Sequence, residues 1–66
     1  MNETTFGELD KGDVFTAVSG DIYFIKIKKD TLIKQLGGYG LVNAVVLNGA
    51  GMGNCVRFNE TLPVIK

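Results

Sequence analysis

The chain has 66 residues, of which 45% are hydrophobic, with seven acidic and seven basic side chains. That is one domain with one small core, since a chain this short buries only about 60% of the surface its unfolded form exposes and leans on staples or partners. A net charge of zero excludes a surface tuned as a whole to nucleic acid or to anionic lipid.

The cancellation hides a gradient. Residues 1–21 carry Glu3, Glu8, Asp10, Asp13 and Asp21 against Lys11 alone, whereas residues 22–36 carry Lys26, Lys28, Lys29 and Lys34 against Asp30. A surface of two signs is expected. The single cysteine, Cys55, forms no disulfide within the chain and favours a reducing compartment. The polar N-terminus lacks the basic-then-apolar order of a secretory signal, so a cytoplasmic location is expected. No apolar run approaches the roughly 20 residues of a membrane-spanning helix.

In chain order, Phe6-Gly-Glu-Leu9 reads as a single turn or extended arm that lays two apolar side chains on a core. Asp10-Lys-Gly-Asp13 is turn chemistry: Asp accepts local backbone hydrogen bonds and Gly takes the positive φ that other residues resist. Residues 14–18 form a β-branched and aromatic strand, and Ser19-Gly-Asp21 closes a hairpin into the next, 22–29. There Tyr23, Ile25 and Ile27 share one face, while Lys26 and Lys28 share the other with Ile22 and Phe24. The first half of that strand is apolar on both faces, which the Phe6–Leu9 arm is placed to cover.

Residues 30–40 read as a loop insertion with two local options. Leu32, Ile33 and Leu36 fit one helical turn as well as a strand extension, before Gly37-Gly-Tyr-Gly40 breaks any regular element. Residues 41–47 are a strongly apolar strand, 48–53 a glycine-rich turn, 54–58 its partner strand and 62–65 a last strand. Pro63 cannot donate to a ladder, which predicts an edge position for that last strand. Five short strands at this spacing predict an all-β fold, a small antiparallel barrel or sandwich. The tight fourth-to-fifth link resembles that of a Src-homology-three-like barrel.

The order Phe-x-x-Leu-x-x-Gly-Asp-x-Phe over 6–15, Tyr-x-x-Lys over 23–26, Asn-Ala-Val over 43–45, then a glycine turn, Phe58 and Val64, resembles small uncharacterised all-β proteins of tailed phages and bacteria. The resemblance implies a compact β fold and a phage origin, hence the host cytoplasm. It brings no catalytic residues with it. The chain departs from the pattern at 30–40 and 48–53, which directs attention to those two segments.

Catalysis and metal binding find little material. The chain has no histidine, the usual general base near neutral pH. Cys55 lacks a sequence neighbour that would activate a thiolate, and the chain's carboxylates are scattered over turns. Gly49-Ala-Gly-Met-Gly53 has the wrong spacing for a dinucleotide fingerprint and precedes a strand, so it reads as a hairpin tip. No enzyme activity, cofactor or metal is expected.

What remains is recognition. Lys26, Lys28, Lys29, Lys34 and Arg57, with Tyr23 and Tyr39, offer cations beside aromatic rings, and Met52 crowns the glycine-rich turn. Strands 22–25 and 41–47 are apolar on both faces, more than so small an interior encloses, which points to self-association. The sequence therefore predicts a binding module acting through protein contact or homo-oligomerisation, in the manner of a phage accessory or inhibitory factor. The alternatives are a single-strand nucleic-acid or nucleotide binder using the same lysines and tyrosines, and a structural part of a larger assembly.

Overall fold

The computed structural model describes residues 3–66, with the side chains of Lys29, Asp30 and Gln35 outside the description. It is all-β. The strands are β1 (Glu3–Thr5), β2 (Val14–Ala17), β3 (Tyr23–Gln35), β4 (Gly38–Val46), β5 (Cys55–Val56) and β6 (Pro63–Ile65), with a 3₁₀ turn at Phe6–Glu8. All pair antiparallel in one sheet of order β1-β6-β2-β3-β4-β5. Among the described residues no helix is long and apolar enough to cross a membrane.

Among the described residues the sheet has six strands and is not closed, where the sequence predicts a five-stranded barrel or sandwich. Its end strands, β1 and β5, are not hydrogen-bonded to each other. Between them lie the 3₁₀ turn and residues 57–62. The Phe6 amide donates to Leu62 O at 2.9 Å and the Gly7 amide to Glu60 O at 2.8 Å. The sheet thus curls around its core without a continuous ladder.

β5 is also shorter than the expected 54–58. The buried Asn43 side chain takes over where the ladder stops: its Nδ2 donates to Phe58 O at 3.0 Å and its Oδ1 accepts from the Phe58 amide at 2.8 Å. A buried amide that satisfies both backbone groups of its neighbour substitutes for two ladder bonds.

The last strand is not at an edge. β6 lies between β1 and β2, and Pro63 is tolerated because it is the first residue, paired only to Thr5, with β2 contacts beginning at Val64. What displaces it inward is β1, a strand too short to leave a periodic signal in the sequence.

Segment 30–40 is neither loop nor helical turn. β3 runs unbroken to Gln35, and β4 returns from Gly38 in register, pairing Thr31 with Val42 through Gln35 with Gly38. The reversal needs only Leu36 and Gly37, and Gly37 and Gly38 both adopt positive φ (141° and 127°). A register shift between Lys26 and Thr31 separates this hairpin from the body of the sheet.

The core is small. Phe6, Leu9, Phe15, Ala44 and Val64 are fully buried together, with Phe24, Val56, Phe58 and Leu62 packed against them. The Phe58 ring lies 5.5, 5.6 and 4.9 Å from those of Phe6, Phe15 and Phe24, mostly edge-on. The Phe6–Leu9 arm therefore does what its spacing predicts. The 10–13 turn does as well: the Asp10 amide donates to Asp13 Oδ2 at 2.8 Å, the Asp13 amide to Asp10 O at 3.0 Å, and Gly12 has φ 95°.

Candidate functional site

Alternation along the strands assigns each residue of the sheet to one of two faces. Phe15, Phe24, Ala44 and Val46 face the core, as their cross-strand pairing Phe15–Phe24 and Phe24–Val46 requires. The side of β3 that carries Lys26 is thus the inner one. Tyr23 and Ile25, with Val14, Thr16, Val45, Cys55 and Ile65, lie on the outer face, joined by the pairs Thr16–Tyr23, Val14–Ile25, Ile25–Val45, Val45–Cys55 and Thr16–Ile65.

That outer face is apolar and only partly covered. Val14 and Tyr23 are about half exposed, while Ile25, Val45, Cys55 and Ile65 are half-buried. A shallow groove of about 290 Å³ runs between Val14, Phe15, Thr16, Tyr23, Ile65 and Lys66. At its rim Lys66 Nζ lies 3.2 Å from Asp13 Oδ2. The Asp10 amide, and after it Lys66 and Lys26, hold the Asp13 carboxyl below its ordinary range against a smaller opposing effect of desolvation.

The β3–β4 ribbon continues this face outward. Among the described residues, β2 pairs with β3 at Tyr23–Ile25 and β5 with β4 at Ala44–Val45, so residues 31–42 pair there only with each other. The pairs Leu32–Leu41 and Lys34–Tyr39 stand on the same side of β4 as Val45. Leu32 is 61% exposed, Leu41 49%, Tyr39 72%, and Leu36 at the reversal 100%. A shallow depression at the tip is lined by Leu36, Gly37, Gly38 and Tyr39. Leu32 with Leu41 and Lys34 with Tyr39 stand in two layers, with Leu36 exposed at the tip, on a two-stranded ribbon, an element that is marginal in water on its own.

The residues singled out in the sequence are distributed unevenly about this surface. Tyr23 is on the outer face, and Lys34 and Tyr39 are cross-strand partners on the ribbon. Lys28 is exposed at the register shift, where its carbonyl accepts from Thr31 Oγ1 at 3.0 Å. Met52 is 69% exposed on the 48–53 turn, and Arg57 is exposed just past β5 with interactions of its own. The Lys29 side chain lies outside the described residues.

Lys26 belongs to a different role. It follows Phe24 on the inner face, where its Nζ donates to Leu9 O at 2.7 Å and Phe6 O at 3.0 Å and sits 4.6 Å from the centre of the Phe6 ring. It fastens the arm to the sheet. Lys26 and Tyr23 emerge on opposite faces of β3, so among the described residues Lys34 with Tyr39 is the one pair of these cations and aromatics placed cross-strand on a common face.

The sequence pattern does not single out Leu32, Leu36, Leu41 and Val14 as contact residues. The signal was available: Leu32, Lys34 and Leu36 alternate with Thr31, Ile33 and Gln35, and Gly37-Gly38 is hairpin chemistry. The i, i+1, i+4 spacing of Leu32, Ile33 and Leu36 masked it. Among the described residues no three potential metal-ligating side chains cluster. Comparison with protein-family models, curated proteins and solved structures returns no match for this chain.

Proposed function

We propose that this protein works by binding another protein surface, without turnover, and that the outer face of the sheet with the β3–β4 ribbon is the contact surface. The observation that carries the reading is the exposure of Leu32, Tyr39 and Leu41 on one side of the ribbon, with Leu36 exposed at its tip. Contiguous apolar surface of this kind on a soluble chain marks an interaction site. The ribbon strands also leave outward edges unpaired along residues 31–42, which suits the addition of a further strand. A chain without histidine lacks the commonest proton shuttle, in keeping with recognition in place of reaction. The resemblance of the 6–15 motif and its companions extends the proposal to an accessory or inhibitory factor of phage type.

A photo-crosslinking residue at position 39 tests this in cells. Position 39 yields protein adducts, whereas position 11, on the exposed 10–13 turn, yields none. Absence of adducts from position 39 refutes the reading. Lys34 beside Tyr39 also favours a second reading, contact with single-stranded nucleic acid by a cation next to a stacking platform. Anisotropy of a labelled oligonucleotide at low salt separates the two, because binding through the phosphates collapses as salt rises.

A further inference from the structure

Resting on that reading, we infer that the occupant of this face is a second copy of the chain, packed sheet against sheet about a two-fold axis that runs along the ribbon.

Area is the first argument. Taking roughly 200 Å² for a fully exposed large side chain, the exposures of Leu32, Leu36, Tyr39 and Leu41 leave about 550 Å² of ribbon face. Adding Val14 and Tyr23 on the same scale brings this to about 750 Å² per copy. Two such faces bury about 1,500 Å², the size of a standard stable interface. No partner of other composition is needed to account for the surface.

The second argument is the pattern across the ribbon. A two-fold axis along the ribbon sets β3 of one copy over β4 of the other and keeps the layers level. Leu32 then meets the second copy's Leu41, Leu36 meets Leu36, and Lys34 lies over the face of Tyr39, where a ring attracts a cation. The transverse alternative, with ribbons antiparallel, sets Lys34 over Lys34 and is disfavoured by like charge. In the favoured arrangement the body faces approach as well, bringing Val14 and Tyr23 into a two-sheet sandwich with the roughly 10 Å spacing and aligned strands usual for such packing. The second copy thereby supplies the outer layer that a 66-residue chain is too short to build for itself.

Sedimentation equilibrium through the micromolar range tests the inference, with Leu32→Lys and Tyr39→Ala as variants whose exposed positions leave the monomer fold intact by circular dichroism. The expected result is a mass of two 7.1 kDa chains, with the dissociation constant raised at least tenfold by Leu32→Lys. In a Cys55→Ser background, a short bis-maleimide links Leu36→Cys into dimers and leaves Lys11→Cys monomeric. A monomer at every concentration overturns the inference, as does a dimer indifferent to both variants. A dimer weakened by Leu32→Lys but never linked through position 36 overturns the parallel arrangement. A monomer that still gives adducts to a different protein from position 39 sinks the second copy alone and leaves the proposed function standing.

Discussion

Replacing Lys26 by Met distinguishes a structural fastener from a binding cation. The substitution keeps the aliphatic stem against the core and removes the ammonium. Two hydrogen bonds disappear, to Leu9 O at 2.7 Å and Phe6 O at 3.0 Å, along with the contact at 4.6 Å to the Phe6 ring. Hydrogen bonds to a charged donor contribute about 1.5–3 kcal/mol each and a partly exposed cation–π contact about 0.5–1 kcal/mol. Three contacts by one group are not additive, Phe6 O keeps the Leu9 amide as a donor at 3.1 Å, and Lys26 is only half-buried. A loss of about 2–3 kcal/mol is therefore expected. A domain of this length holds only about 3–10 kcal/mol in all. The midpoint of thermal unfolding should fall by roughly 10–20 °C, at about 4–8 °C per kcal/mol for a chain this small. Urea denaturation and a thermal melt, both followed by circular dichroism, read the two quantities. Lys26→Arg should retain part of the loss, since it keeps the charge but not the compact head. A Met variant as stable as the parent, with binding impaired instead, refutes the assignment of Lys26 to the fold.

Three further outcomes follow from the geometry. Asn43→Ala strands the partly buried amide and carbonyl of Phe58 and should cost about 2–4 kcal/mol in urea unfolding; a change within error contradicts the substitution of side chain for ladder. Gly7→Ala sets a Cβ 2.9 Å from Glu60 Cβ and 3.0 Å from Glu60 O, so the closure between arm and 57–62 segment must shift, at about 1–3 kcal/mol; a neutral result shows that this segment yields freely. The Asp13 carboxyl titrates below its ordinary range, so its contribution is complete above the unfolded value near pH 4 and is lost as pH falls through the lower folded value. Acid unfolding of Asp13→Asn should be less steep than that of the parent below about pH 4, and identical acid limbs count against the Asp10 and Lys66 contacts as its cause.

Local structure was legible in the order of the residues. Strand formers at 14–17 and 23–27, the Asp-x-Gly-Asp turn and the apolar run at 41–46 specify β structure because side-chain alternation and backbone φ preferences act between neighbours. The arm was legible for the same reason, from Phe6 and Leu9 flanking a turn. Which face of each strand lies inside was set by long-range packing. β3 offers Tyr23, Ile25 and Ile27 on one side and Phe24 and Lys26 on the other, and hydrophobicity alone favours burying the first set. The aromatic cluster around Phe58 captures Phe24 instead, and Lys26 becomes tolerable inside because two arm carbonyls meet its ammonium. That choice turns Tyr23 and Ile25 outward, and the pairing Leu32–Leu41 and Lys34–Tyr39 carries the same face along the ribbon. Such partners lie many residues apart in the chain. Long-range contact, which no window of neighbouring residues contains, is what created the exposed apolar face.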